Sequence, residues 1–84
     1  MFNVYILISK KDNKRYIGST NDLVRRLAEH ENGLVSSTKG RRPLELLYTE
    51  EFKSEREARL REHYFKTHKG YNELEKILRG GVCR

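Results

Sequence analysis

The chain predicts a small domain of the α/β class in its α+β form, with elements in the order β-β-α-β-α-α. Three observations carry this expectation. Apolar, β-branched and aromatic runs at Phe2–Ser9, Arg15–Gly18 and Leu44–Phe52 are set apart by polar breaks, in the manner of strands. Between and after them, capped segments repeat apolar residues at helical spacing. Eighty-four residues leave room for one core, so residues 1–84 are expected to form a single domain.

In Phe2–Ser9, Val4, Ile6 and Ile8 share one face, and Tyr5 and Leu7 the other. Apolar residues on both sides suit a central strand. Asp12-Asn13 suits a turn, so the first two strands read as a hairpin that ends by turning on Gly18. The turn does not give the register, and a slip of one residue would put Tyr5 and Tyr16 on opposite faces. Thr20 or Asn21 is expected to cap the first helix, with Asp22 in its first turn. Leu23, Val24, Leu27 and Ala28 form its expected buried stripe, bordered by Arg26 and His30, and Asn32-Gly33 ends it.

Leu34–Pro43 reads as a loop rich in hydroxyls and cations, a composition suited to phosphate. Thr38, Lys39, Arg41 and Arg42 are its candidate nucleic-acid contacts, with Lys66 beyond it. Ser54 and Glu57 form a capping box for the second helix. There Ala58 and Phe65 share a face, and Glu62 lies beside that apolar line. Gly70 is expected to break this helix. Asn72 and Glu75 are then expected to cap a third, which buries Leu74, Ile77 and Leu78, stops at Arg79-Gly80-Gly81 and leaves a frayed tail.

Eighteen basic residues against 12 acidic ones give a net charge of +6, which favours a polyanionic partner, nucleic acid before membrane surface. No run approaches the roughly 20 apolar residues of a membrane span. The opening MFNVYILIS lacks the basic leader of a signal peptide. Cys83 is a lone cysteine, so neither an internal disulfide nor a zinc site is expected. A soluble cytoplasmic protein is the expectation, and a homodimer suits so small a chain.

Tyr16-Ile17-Gly18 and Asn3-Val4-Tyr5, with Tyr5 eleven residues before Tyr16, resemble the two motif words of the GIY-YIG nuclease family. Arg26 follows Tyr16 by ten residues and His30 follows four later; Glu62 matches the family's helical glutamate. The resemblance runs from about Val4 to Gly70 and is to small stand-alone bacterial members similar to the nuclease module of excinuclease C. Asn3 stands where the family has glycine.

The resemblance implies a small three-stranded antiparallel sheet flanked by helices. It also implies a metal-dependent DNA endonuclease, structure-specific and serving DNA repair or recombination. Tyr5 and Tyr16 would position or deprotonate a water, although a free phenol has a pKa of about 10. Arg26 would donate to phosphoryl oxygens, and His30 would bond a phosphate oxygen or relay a proton. Glu62 would anchor Mg²⁺ or Mn²⁺, ions that keep several waters. The partner would be DNA that is branched, flapped or nicked, with RNA and a partner protein as further options. The rival reading is a module on the same scaffold that binds nucleic acid without cutting it.

Overall fold

The computed structural model describes residues 1–79. The expected helix stop at Gly80-Gly81 and the tail from Val82 to Arg84 lie outside the described residues. The elements are β1 (Phe2–Ser9), β2 (Arg15–Thr20), α1 (Leu23–Glu31), α2 (Ser36–Lys39), β3 (Leu44–Phe52), α3 (Glu55–Phe65) and α4 (His68–Leu78). This is the expected β-β-α-β-α-α order with one short helical turn added. The three strands form one antiparallel sheet in the order β2-β1-β3, so the most apolar strand takes the centre.

The hairpin turn is closed by Asn13 in the left-handed region at φ 60°, a conformation asparagine tolerates, and by Asp12 Oδ1 accepting from the Lys14 amide at 2.9 Å. Its register sets Tyr5 opposite Gly18 and Leu7 opposite Tyr16. Residues two apart share a face, so Tyr5 and Tyr16 lie on the same side of the sheet.

The two faces differ in chemistry. Val4, Ile6 and Ile17 project toward α3 and α4 and close the core with Ala58, Phe65 and Leu74, while Tyr48, Tyr64 and Ile77 pack around them. The Arg61 guanidinium lies 4.3 Å over the Phe65 ring and bonds Glu50 and Glu73, which joins β3, α3 and α4. On the other edge, Arg15 bonds Glu75 at 2.7 Å and Tyr71 at 3.2 Å, which clasps β2 to α4. The opposite face carries Tyr5, Leu7 and Tyr16 toward α1, whose one buried residue is His30.

Several local expectations are corrected. β2 does not turn on Gly18 but runs on to Thr20, because Ser19 and Thr20 pair with Val4 and Asn3. That extension moves the helix start: Asp22 is the N-cap, accepting from the Arg25 amide at 3.1 Å, while Thr20 accepts from the Asp22 amide. Val24 is 82% exposed and Ala28 is also exposed, so the apolar stripe of α1 is narrower than its spacing suggested. Ser36–Lys39 winds into α2 within the expected loop.

Gly70 does not break a helix. It lies in the first turn of α4, capped by Thr67, whose Oγ1 accepts from the Gly70 amide. A Cβ at Gly70 would run into the Tyr64 carbonyl, so this glycine permits the close approach of α3 and α4. The Asn72–Glu75 pair therefore lies inside α4 and does not begin it.

Candidate active site

The central strand points Tyr5 away from the apolar core and buries it completely, at 0% exposure. Its partner across the hairpin has no side chain for a physical reason. A Cβ on Gly18 would stand 2.6 Å from Tyr5 Oη and 3.0 Å from the Tyr16 ring. Glycine at that position lets the phenol lie across β2, with the two tyrosine rings 6.1 Å apart.

The last turn of α1 brings His30 over both rings, edge-on, at 5.6 Å from Tyr5 and 5.0 Å from Tyr16. Tyr5 Oη lies 2.9 Å from His30 Nε2, and His30 Nδ1 lies 2.8 Å from Thr38 Oγ1. Burial lowers the affinity of the imidazole for a proton, and the neighbouring Arg26 lowers it further. The ring is thus neutral and has a partner on each nitrogen.

Arg26, one turn before His30 on α1, bonds Glu29 at 2.9 Å and interacts with both phenols. Tyr5, Glu29 and Tyr16 hold it firmly protonated. Burial pushes the Tyr5 phenol up to about 12, against the opposing pull of Arg26. Tyr5 therefore keeps its proton at neutral pH, whereas the half-buried Tyr16 is the more accessible phenol.

Glu62 approaches from α3, on the other side of the sheet. Ser19, which pairs with Val4, faces that side and donates to Glu62 Oε1 at 2.7 Å. Lys66 Nζ lies 2.9 Å from Oε2, and the Glu62 side chain is 21% exposed. Partial burial raises the carboxyl's affinity for a proton. The Lys66 and Ser19 hydrogen bonds outweigh it, so the group stays ionised below the usual glutamate range. A groove of about 440 Å³ runs between α1 and α3, lined by Ser19, Asn21, Arg25, Arg26 and Arg59 among others. Arg26 thus links the phenols to the groove, and Ser19 links the groove to Glu62.

Tyr5, Tyr16, Arg26 and His30 converge directly, and Glu62 joins them at one remove. His30, expected at the border of the apolar stripe, is 1% exposed, its ring nitrogens engaged by Tyr5 and Thr38. Thr38, expected at a nucleic-acid surface, is turned inward at 0% exposure because α2 presents it to His30. Lys39 and Arg42 line a separate surface pocket with Lys11, and Arg41 pairs with Asp12 at 3.4 Å. Lys66 faces Glu62. Asn3, in place of the expected glycine, sits in ordinary extended pairing within β1.

Ser19, Arg25 and Arg59 had escaped notice in the sequence. Strand alternation beyond Gly18 was the signal for Ser19, whereas Arg25 and Arg59 resemble any exposed helical arginines with i,i+4 acidic partners. Among the described residues, no group of three or more His, Cys, Asp or Glu side chains gathers to hold a metal ion. No described helix is long and apolar enough to cross a membrane.

A family model, the GIY-YIG catalytic domain, matches residues 1–75. The chain is 44% identical over 63 residues to the UPF0213 protein YazA of Bacillus subtilis, covering 74% of this chain and 64% of that protein, just under two thirds of its length. It is 40% identical over 78 residues to the UPF0213 protein SSP2268 of Staphylococcus saprophyticus, covering 90% and 95% of the two chains. The solution NMR structure of the UPF0213 protein BH0048 from Bacillus halodurans is similar with a TM-score of 0.57 at 34% identity, covering 92% of this chain and 85% of that one. A match that runs from the first strand into α4, shared with relatives and with a solved fold of the same architecture, places the chain in the GIY-YIG family.

Proposed function

We propose that the protein is a divalent-metal-dependent endonuclease that hydrolyses phosphodiester bonds in DNA. The observation that carries this reading is the meeting of two phenols, a guanidinium and a neutral imidazole beside a groove whose Ser19 donates to an ionised carboxylate, Glu62, behind it. Phosphodiester hydrolysis needs a positioned water, charge stabilisation on the phosphoryl oxygens and help for the departing oxygen.

Arg26 is a permanent cation on the groove wall and donates to a phosphoryl oxygen there. Tyr5, with its pKa near 12, cannot act as a standing phenolate. The phenol pair accepts the water proton as Tyr5 releases its own to His30 Nε2, 2.9 Å away.

Glu62 is the residue that would hold Mg²⁺ or Mn²⁺. It offers a hard, ionised oxygen pair, and the lysine on Oε2 is itself 52% exposed and free to give way. A single carboxylate suits an ion that keeps most of its waters. When bound, such an ion supplies positive charge to the phosphoryl and leaving oxygens.

Arg25 and Arg59 border the groove as exposed cations, and Lys39 and Arg42 add a second basic patch at a separate pocket, with Arg41 paired to Asp12 beside it. Such contacts grip phosphates without reading bases, which favours recognition of branched, flapped or nicked DNA over a sequence, in repair or recombination. The burial of Tyr5 is the feature that favours the non-cutting rival, and RNA is the competing substrate. Incubation of Arg26→Ala, Glu62→Gln and the parent with branched, flapped, nicked and linear DNA, and with RNA, in Mg²⁺ or Mn²⁺ separates these readings. Arg26→Ala is expected to slow cleavage by roughly 10²–10³ while keeping the parent's circular dichroism. Equal rates for parent and variants refute the site; salt-sensitive binding with no product establishes the rival.

A further inference from the structure

Thr38 is the polar residue of the basic segment that the fold puts inside, and nothing about DNA contact explains its position. It sits in α2 with Oγ1 2.8 Å from His30 Nδ1 and 3.4 Å from the Val35 carbonyl. The three residues Tyr5, His30 and Thr38 are all essentially inaccessible to solvent, so their few hydrogens must be shared among themselves and the nearby backbone.

The sharing can be solved by elimination. Arg26, beside the Tyr5 phenol, can only donate. Tyr16, the other group that bears on the phenol, has a hydroxyl that can donate to Tyr5 Oη, and the acceptor found at 2.9 Å from the Tyr5 hydroxyl is His30 Nε2. Nε2 therefore carries no hydrogen, and the proton of the neutral ring sits on Nδ1. Nδ1–H donates to Thr38 Oγ1, and the Thr38 hydroxyl donates onward to the Val35 carbonyl. In the reverse arrangement, Thr38 donates to Nδ1 and Nε2–H donates to the phenol, which takes His30 away as an acceptor and leaves the buried phenol hydrogen to Tyr16 alone.

We infer that Thr38 is a positioning residue: its hydroxyl holds the His30 proton on Nδ1 and so keeps Nε2 open to receive the proton of Tyr5. This rests on the proposed proton-handling role of the Tyr5–His30 pair. In the step, one proton leaves water for the phenol pair and one passes from Tyr5 Oη to Nε2. The resulting hydroxide adds to phosphorus, and the leaving oxygen takes a proton from solvent. The ring becomes an imidazolium whose Nδ1–H stays on Thr38. The residue thus also supplies an acceptor for the charged form.

The test is imidazole ¹⁵N–¹H correlation spectroscopy on uniformly labelled parent, Thr38→Ser and Thr38→Val without metal or DNA, paired with cleavage rates of the same proteins. The parent and Thr38→Ser are expected to show the Nδ1–H tautomer for His30 and similar rates. In Thr38→Val, Nδ1–H loses its acceptor, the ring shifts to the Nε2–H tautomer, and cleavage falls about 10- to 100-fold, the usual cost of losing such an outer partner. A parent ring in the Nε2–H tautomer overturns the inference even if Thr38→Val does not fold, as does a folded Thr38→Val that keeps the parent's tautomer and rate. A parent with the Nδ1–H tautomer that cuts nothing refutes the nuclease reading and supports the role of Thr38 in fixing the ring.

Discussion

Gly18→Ala isolates what the missing side chain does for the site. The position lies within β2 and its backbone is not in the left-handed region, so alanine is acceptable to the main chain. The obstacle is Tyr5. Its hydroxyl would stand 2.6 Å from the new methyl and must retreat to the 3.4 Å at which ordinary contact begins. Tyr5 Cζ, at 2.7 Å, and the Tyr16 ring, at 3.0 Å, crowd the same point. The phenol cannot yield freely, because Oη is held 2.9 Å from a buried imidazole.

Overpacking of this kind costs about 1–3 kcal/mol. A displaced Tyr5–His30 hydrogen bond leaves buried polar groups unpaired, for about 1–3 kcal/mol more. A total on the order of 2–6 kcal/mol follows, which for a domain of this size lowers Tm by roughly 10 °C or more. Urea and thermal melts measure it, with Gly40→Ala as the control, since a Cβ there has no neighbour within 4 Å. Gly18→Ala as stable as the Gly40 variant, with DNA cleavage retained, would refute the argument that Gly18 makes room for Tyr5.

Three further outcomes follow from other parts of the fold. His30 is held below the ordinary histidine value by burial and Arg26, so the unfolded chain binds its proton first as pH falls. Its contribution to stability is full above about pH 6.5 and is lost as pH drops through the lowered value; urea midpoints should fall between pH 7 and 5, and more shallowly in His30→Gln. An equal slope in both proteins would place the titrating group elsewhere; the carboxyls with lowered values, Asp12, Glu62, Glu73 and Glu75, lose their partners' support only below about pH 4.5. Gly70→Ala should destabilise by about 2–3 kcal/mol in a urea melt, although alanine is the better helix former, because its methyl meets a backbone carbonyl. Arg61→Met keeps the stem over Phe65 but strands Glu50, whose side chain is 18% exposed; the urea midpoint should fall and be partly restored in Arg61→Met/Glu50→Gln.

The parts of the fold that were legible in the sequence are those with local rules. Alternation in Phe2–Ser9 identified the central strand, and Ser54–Glu57 located the start of α3 to the residue. What escaped depended on contacts between elements. Gly70 carries the same local signal as a helix stop, and only the nearness of Tyr64 shows that it serves packing. The hairpin register, and with it the shared face of Tyr5 and Tyr16, depends on a five-residue turn whose sequence does not fix pairing. Thr38 looked like its polar neighbours because nothing local marks the one hydroxyl that α2 turns toward His30.

The sheet's unequal faces also bear on how the molecule comes apart. α3 and α4 are fastened by Ala58, Phe65 and Leu74, whereas α1 has an imidazole as its one buried anchor. Detachment of α1 sacrifices far less apolar contact than detachment of α3 or α4, so the arm that carries Arg26 is the first to loosen from an otherwise intact body. Amide hydrogen exchange should find α1 opening ahead of β1 and α3. On the proposed reading, a helix so lightly moored would let its guanidinium reposition over a phosphate while the remainder stays put.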